Sequence, residues 1–187
     1  YLAGIRKKGD MGVWRIEKRD LNLTLVKSVD IYSSSWIHPF NTPFDLEINP
    51  VSGQIWAVGY YVDNRVRFHA YIVILDKDLN VVQTIDYERC REYGIPTSVC
   101  FDSAGYAYVA NLVSSGVAKF DSKGNLVGKA ALDKTFLRAV CTYDKVLLMG
   151  YEESKDGIAS SYIYTLDRDL RLITTFVFPK PSKNSSL

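Results

Sequence analysis

The sequence predicts an all-β fold built from repeated four-stranded antiparallel units, the architecture of a β-propeller, and three observations predict it. The composition leans to strand, with 13 Tyr, 8 Phe and 3 Trp beside many β-branched residues, side chains that fit a pleated and half-buried surface. A strand–turn–strand segment recurs four times along the chain. A second strand–turn–strand segment recurs between those copies, and the two together span roughly 45 residues, the length of one propeller blade.

The first segment reads VWRIEKRDLNLTLV (13–26), YIVILDKDLNVVQTI (71–85), GVAKFDSKGNLVGKA (116–130) and YIYTLDRDLRLITTF (162–176). Each copy is an alternating strand, a polar turn and a second alternating strand. Aligning Leu21, Leu79, Gly124 and Leu170 gives separations of 58, 45 and 46 residues. Asn22, Asn80 and Asn125 follow in three turns and Arg171 in the fourth, and Asn and Gly tolerate the positive φ of hairpin turns. The second segment reads PFDLEINPVSGQIWAVGYYV (43–62), PTSVCFDSAGYAYVANLV (96–113) and FLRAVCTYDKVLLMGYE (136–152). Gly53 and Gly105 take its turn, and Lys145 replaces them in the third copy.

Joined in order, the segments give antiparallel meanders with strands A to D. Residues 43–86, 96–132 and 136–178 form complete blades, whereas 1–30 supply strands B to D without an A strand. The Pro- and Ser-containing tail 179–187 reads as linker. Residues 1–178 are therefore one propeller or part of one, because a blade buries both faces against its neighbours. Either four blades close on themselves or the chain is a slice of a larger ring, and the missing A strand favours the slice. A β-sandwich is the fallback. The absence of an initiator Met suggests a processed chain or a piece of a longer one.

Residues 97–128, TSVCFDSAGYAYVANLVSSGVAKFDSKGNLVG, resemble an NHL-type propeller repeat. Phe101, Asp102, Gly105, Tyr108, Val109, Ala110, Phe120, Asp121 and Gly124 match its pattern, while the Asn-His-Arg element that names the family is replaced by Leu112 to Gly116. The blade 43–86 matches more loosely, through Asn49, Gly53, Ile55, Trp56 and Ala57. The resemblance implies a propeller of the general NHL, YVTN or SMP-30 kind. It also implies that ligands and partners meet the face made by D-to-A connections and B-to-C hairpins.

The net charge of +2 argues against a nucleic-acid binder, which carries a basic surplus or stripe. No stretch reaches the roughly 18 apolar residues of a membrane span, and YLAGIRKKGD at the start is not a signal peptide. Cys90, Cys100 and Cys141 lack CxxC spacing, which excludes a zinc site and a disulfide scaffold and leaves buried thiols. Cys100 and Cys141 share a strand-A register with Glu47, but splayed blades are expected to hold them too far apart to bridge. Sequons at Asn22 and Asn184 keep an extracellular location open beside a cytoplasmic one.

The longest D-to-A connection, YSSSWIHPFNTP (32–43), is expected to expose Trp36, His38, Phe40 and Asn41. The next, YERCREYGIP (87–96), carries Arg89, Arg91 and Tyr93, and the B-to-C hairpins add Arg65, Arg67 and the segment 152–161. Trp, Tyr and Arg on one face have the composition of a protein-recognition hot spot. The bland reading is that Trp36 and Phe40 only pack the loop onto the ring. The chain has two histidines and no GxSxG, HExxH or Gly-rich phosphate loop. The repeated Asp-x-Asp turns lack the spacing of a calcium loop. These features point to a non-enzymatic recognition or scaffold module that binds a protein or other macromolecule, without a cofactor. The alternatives are a lactonase-like hydrolase with a metal held near Asp45 and Glu47 at the channel mouth, or a structural part of a larger surface or assembly protein.

Overall fold

A computed structural model describes residues 1–32, 36, 41–87, 94–112, 116–132, 135–153 and 159–178. Every regular element among them is a β-strand, arranged as four successive antiparallel meanders. Sheet 1 holds β1 (Leu2–Lys8), β2 (Met11–Arg19) and β3 (Leu25–Ile31). Sheet 2 holds β4 (Thr42–Ile48), β5 (Ile55–Val62), β6 (Phe68–Leu75) and β7 (Val81–Tyr87). Sheet 3 holds β8 (Pro96–Phe101), β9 (Ala107–Asn111), β10 (Gly116–Phe120) and β11 (Leu126–Ala131). Sheet 4 holds β12 (Thr135–Cys141), β13 (Lys145–Glu153), β14 (Ala159–Asp167) and β15 (Leu172–Val177). The fold is all-β and propeller-like.

One turn design closes most of these hairpins. Asp20, Asp63, Asp76, Asp102, Asp121 and Asp167 each accept, on Oδ1, the backbone N–H groups two and four residues on. Their own carbonyls accept the N–H three residues on, and that third residue has positive φ: Leu23, Val66, Leu79, Gly105, Gly124 and Leu170. A bulge follows in each strand pair that leads out of sheets 1 to 4 at this turn, as expected of a hairpin with one left-handed residue. The repeat is thus in register at Leu23, not Leu21, with Thr24 in the place of Asn80. The Asn residues do not supply the positive φ; Asn80 and Asn125 instead donate to Asp76 and Asp121 at 2.8 Å. The carboxylate organises the turn so strongly that Leu is held where Gly is at ease.

Alternation places one face of each sheet on its predecessor and the other on its successor. Trp14, Ile16 and Ile31 of sheet 1 pack with Ile55, Val73 and Leu75 of sheet 2. The opposite face of sheet 2, with Trp56, Val58 and Ile74, packs with Val99, Val109 and Phe120 of sheet 3. Sheet 3 meets sheet 4 through Tyr108, Ala110 and Val117 against Ala139, Leu148 and Leu166. The inner strands follow one another, β4 beside β8 and β8 beside β12, with β1, the innermost described strand of the three-stranded sheet 1, beside β4, while β12 and β1 make no comparable contact among the described residues.

Cys100 and Cys141 are joined in a disulfide, with Cα atoms 5.5 Å apart, which overturns the expectation of free thiols. The blades do splay, but outward. Their innermost strands converge, and Cys100, on the face of β8 toward sheet 4, meets Cys141, on the face of β12 toward sheet 3. The tail 179–187 lies outside the described residues.

Candidate functional site

Two places gather polar and aromatic side chains. The first is the β5–β6 hairpin, whose tip is the Asp63 turn. Val66 there has φ 59° and is 69% exposed, a strained setting for a β-branched residue. Arg65 is exposed beside it. Arg67 donates from Nε and Nη2 to Asp63 Oδ2 at 2.8 and 2.6 Å.

On the face toward sheet 1, Trp36 stacks on Tyr61 at 4.8 Å and Tyr61 on His69 at 4.4 Å. The two ring nitrogens of His69 lie 3.0 Å from Asp86 Oδ1 and 3.2 Å from Asp63 Oδ2, and the Tyr61 hydroxyl donates to Asp86 Oδ2 at 2.5 Å. Burial, reinforced by Asp86, pushes the Tyr61 phenol well above its ordinary value. For Asp63 burial acts upward but is outweighed by hydrogen bonds from the Arg67 backbone and guanidinium, His69 and the Arg65 backbone, so its carboxyl is held well below the usual range. The opposite face of the same hairpin carries an aromatic row, Phe44–Tyr60–Phe68, with centroids 5.7 and 5.5 Å apart. Phe44 and Phe68 are 45% and 48% exposed.

The second place is a cleft of about 490 Å³ along the inner strands, lined by Asp45, Glu47, Ser98, Cys100, Arg138 and Cys141 among others. Asp45 Oδ2 accepts from Ser98 Oγ at 2.7 Å and Val99 N at 3.1 Å, and Arg138 Nη1 lies 3.2 Å away. Glu47 accepts from its neighbour Ile48 N. Among the described residues no three His, Cys, Asp or Glu side chains converge as a metal site.

Trp36 and Asn41 are buried rather than displayed, at 1% and 0% exposure. Trp36 is clasped by Tyr61, Tyr71 and Trp14. Asn41 ties β2 to β5, donating to Gly12 O and accepting from Val62 N, both at 2.9 Å. Arg65 and Arg67 are exposed at the hairpin tip. His38, Phe40, Arg89, Arg91 and Tyr93 lie outside the described residues, as do Cys90, Asn184 and the centre of 152–161. The aromatic row and Arg138 were not singled out from sequence. Period-2 alternation puts Tyr60 and Phe68 on one side of their strands, but the bulge between Pro43 and Asp45 resets β4, and only pairing reveals that Phe44 joins them.

No family model matches the chain, and no curated protein matches it significantly. Among solved structures, it is similar to a protein of unknown function from Bacteroides caccae, with 10% identity and TM-score 0.55 over 89% of this chain and 56% of that one. It is also similar to a eukaryotic initiation factor, with 13% identity and TM-score 0.52 over 95% of this chain and 52% of that one. A gluconolactonase from Xanthomonas campestris matches at 14% identity over 75% of this chain and 62% of that one. Its TM-score of 0.31 carries no argument about activity. The likeness concerns the fold, and the chain spans about half the length of the first two structures.

Proposed function

We propose that the chain is a non-enzymatic recognition module of the general NHL, YVTN or SMP-30 kind, part of a larger ring, that binds a protein through the loop-bearing end of sheet 2. The observation that carries this reading is the row Phe44–Tyr60–Phe68, exposed at Phe44 and Phe68 and half-buried at Tyr60, beside Arg65 and the strained Val66. Aromatic and Arg side chains carry most of the energy in protein interfaces, and strain at an exposed tip suits a contact point. Trp36 and Asn41 then support the face from beneath, and Arg89, Arg91 and Tyr93 are candidates to extend it.

A larger ring is supported by the outer face of sheet 4. Leu147, Met149 and Tyr151 occupy positions equivalent to Trp56, Val58 and Tyr60, and Trp56 and Val58 pack sheet 2 on sheet 3. Met149 is 40% exposed and Phe176 is 55% exposed. The outer face of sheet 1 is instead an ion-paired ladder of Arg6, Asp30, Arg15, Glu17 and Arg19. Closing sheet 4 onto that ladder would bury five charges, which favours further blades over a four-bladed closure. Hydrolysis at the cleft gains little support, since Asp45 is already engaged by Ser98, Val99 and Arg138.

A protein microarray probed with wild type and with the triple variant Phe44→Ala, Phe68→Ala, Arg65→Ala tests the reading. Partners retained by the wild type are expected to weaken at least about tenfold with the variant. Equal retention by the two proteins refutes this face as the binding surface.

A further inference from the structure

We propose that the Cys100–Cys141 disulfide is a thiol–disulfide exchange site, reached by small neutral thiols through the inner cleft, and that its redox state sets how firmly sheet 4 is seated. The bond links β8 to β12, strands of different sheets, and both cysteines line the cleft of about 490 Å³. They are not equally open. Cys100 is 8% exposed, whereas Cys141 is half-buried at the edge of the interface between the sheets. Exchange requires a thiolate to approach one sulfur in line with the bond, so access selects the sulfur that is attacked. Charge in the cleft is nearly balanced, with Arg138 against Asp45 and with Glu47 adding one negative charge. A neutral carrier therefore meets the least repulsion.

The chemistry closes without another reactant. A thiolate attacks Sγ of Cys141, the sulfur–sulfur bond breaks, and Cys100 leaves with the electron pair and takes up a proton. A second thiolate attacks the carrier's sulfur in the mixed disulfide, releasing the oxidised carrier disulfide and the Cys141 thiolate, which is protonated in turn. Two carrier thiols supply two electrons and two protons; the protein disulfide is reduced to two thiols.

Among the described residues, the seam that the bond crosses is the one whose core cluster holds no Trp. Sheets 1 and 2 share Trp14 and Trp36, and sheets 2 and 3 share Trp56 and Phe120. Among the described residues the seam between sheets 3 and 4 has Tyr108 and Tyr164 among aliphatic side chains, with Tyr162 at its edge and neither Trp nor Phe. At its far end the Arg168 carbonyl accepts from Tyr108 Oη at 3.1 Å and Lys119 Nζ at 2.7 Å. Reduction would leave that anchor in place and free the inner edge, where β12 then rests on the Asp45–Arg138 pair, the hydrogen bond from Ser98 Oγ to the Ala139 carbonyl at 3.5 Å and apolar contacts.

The test treats the 187-residue chain with 2-mercaptoethanol under native conditions, traps products with iodoacetamide and follows amide exchange by mass spectrometry. The expected results are a mixed disulfide on Cys141, loss of the bond without loss of strand circular dichroism, and about tenfold faster exchange in β12 with β5 and β6 unchanged. The Cys100→Ser/Cys141→Ser variant is expected to show the same fast exchange without thiol; if it does not fold, titration of the wild type still decides. A disulfide that resists the thiol until the chain unfolds overturns the proposal. So does a mixed disulfide on Cys100, or equal β12 exchange in the two redox states.

Discussion

Leu23, Val66, Leu79 and Leu170 all sit in the left-handed region, where an L side chain costs about 1–2 kcal/mol. Whether that cost is recovered depends on what the side chain touches. Leu23 is 71% exposed, while Leu79 is 2% exposed in the seam between sheets 1 and 2. Leu23→Gly is therefore expected to raise stability by about 1 kcal/mol, seen as a higher urea midpoint. Leu79→Gly should lower it by roughly 1–3 kcal/mol, because the cavity left by a buried Leu outweighs the relieved strain. Asp63 makes a second prediction. Its folded pKa lies below the unfolded one, so its stabilisation is complete above the ordinary carboxylate value of about 4. It is lost as pH falls from there toward the folded value. Urea midpoints measured from pH 7 to pH 2 should fall less steeply for Asp63→Asn than for wild type. Asp76 and Asp121, lowered by similar turn hydrogen bonds, keep part of the slope in both.

At the scale of the elements, close approach of sheet 1 to β4 and β5 depends on one missing methyl group. A Cβ on Gly59 would fall inside the Thr42 carbonyl oxygen and 2.9 Å from the Trp14 ring. Gly59→Ala is expected to cost about 3 kcal/mol or more, measured as a lower melting temperature or a loss of folded yield. The disulfide acts on the next level of element packing. With its cysteines 41 positions apart in the chain, the chain-entropy relation gives about 4 kcal/mol of stabilisation. Much of the element structure is legible from residues alone. The apolar runs of β5, β6, β9 and β13 and the Asp-headed turns fix where strands begin and end. The bulges are not legible, since Pro43 and Asp45 read as one continuous strand until pairing shows the extra residue. That single residue decides which side Phe44 faces, and so whether an aromatic row exists.

For the whole molecule, the two outer faces behave differently. Met149 and Phe176 are exposed on the apolar outer face of sheet 4, so Met149→Lys with Phe176→Lys should leave stability of the 187-residue chain within about 0.5 kcal/mol for each substitution. The same pair should reduce self-association in sedimentation velocity, because exposed apolar patches drive non-specific contact. Unchanged sedimentation would place the sticky surface elsewhere, and a large fall in stability would mean that the face is already covered. The candidate site divides along the same lines. Arg65 and Arg67 were legible as exposed hairpin residues, because polar residues between alternating runs mark a loop. Trp36 and Asn41 were not legible as buried residues: a Trp in a Ser- and Pro-rich connection carries no periodicity, and only the sheets on either side decide that it is covered.

By itself the sequence determined the repeat, the strands and the turns, because period-2 alternation and Asp-headed hairpins are local properties encoded within a few residues. It also aligned Asp45 with Ser98, but it set Cys141 level with Cys100, where pairing places Val140, because counting does not show which face of β12 meets sheet 3. Only the tertiary structure decided that the inner strands converge enough to bring Asp45 and Ser98 to a 2.7 Å hydrogen bond and to join Cys100 and Cys141 covalently across the seam. Distance between sheets follows from their twist and packing, which no single segment of the chain contains.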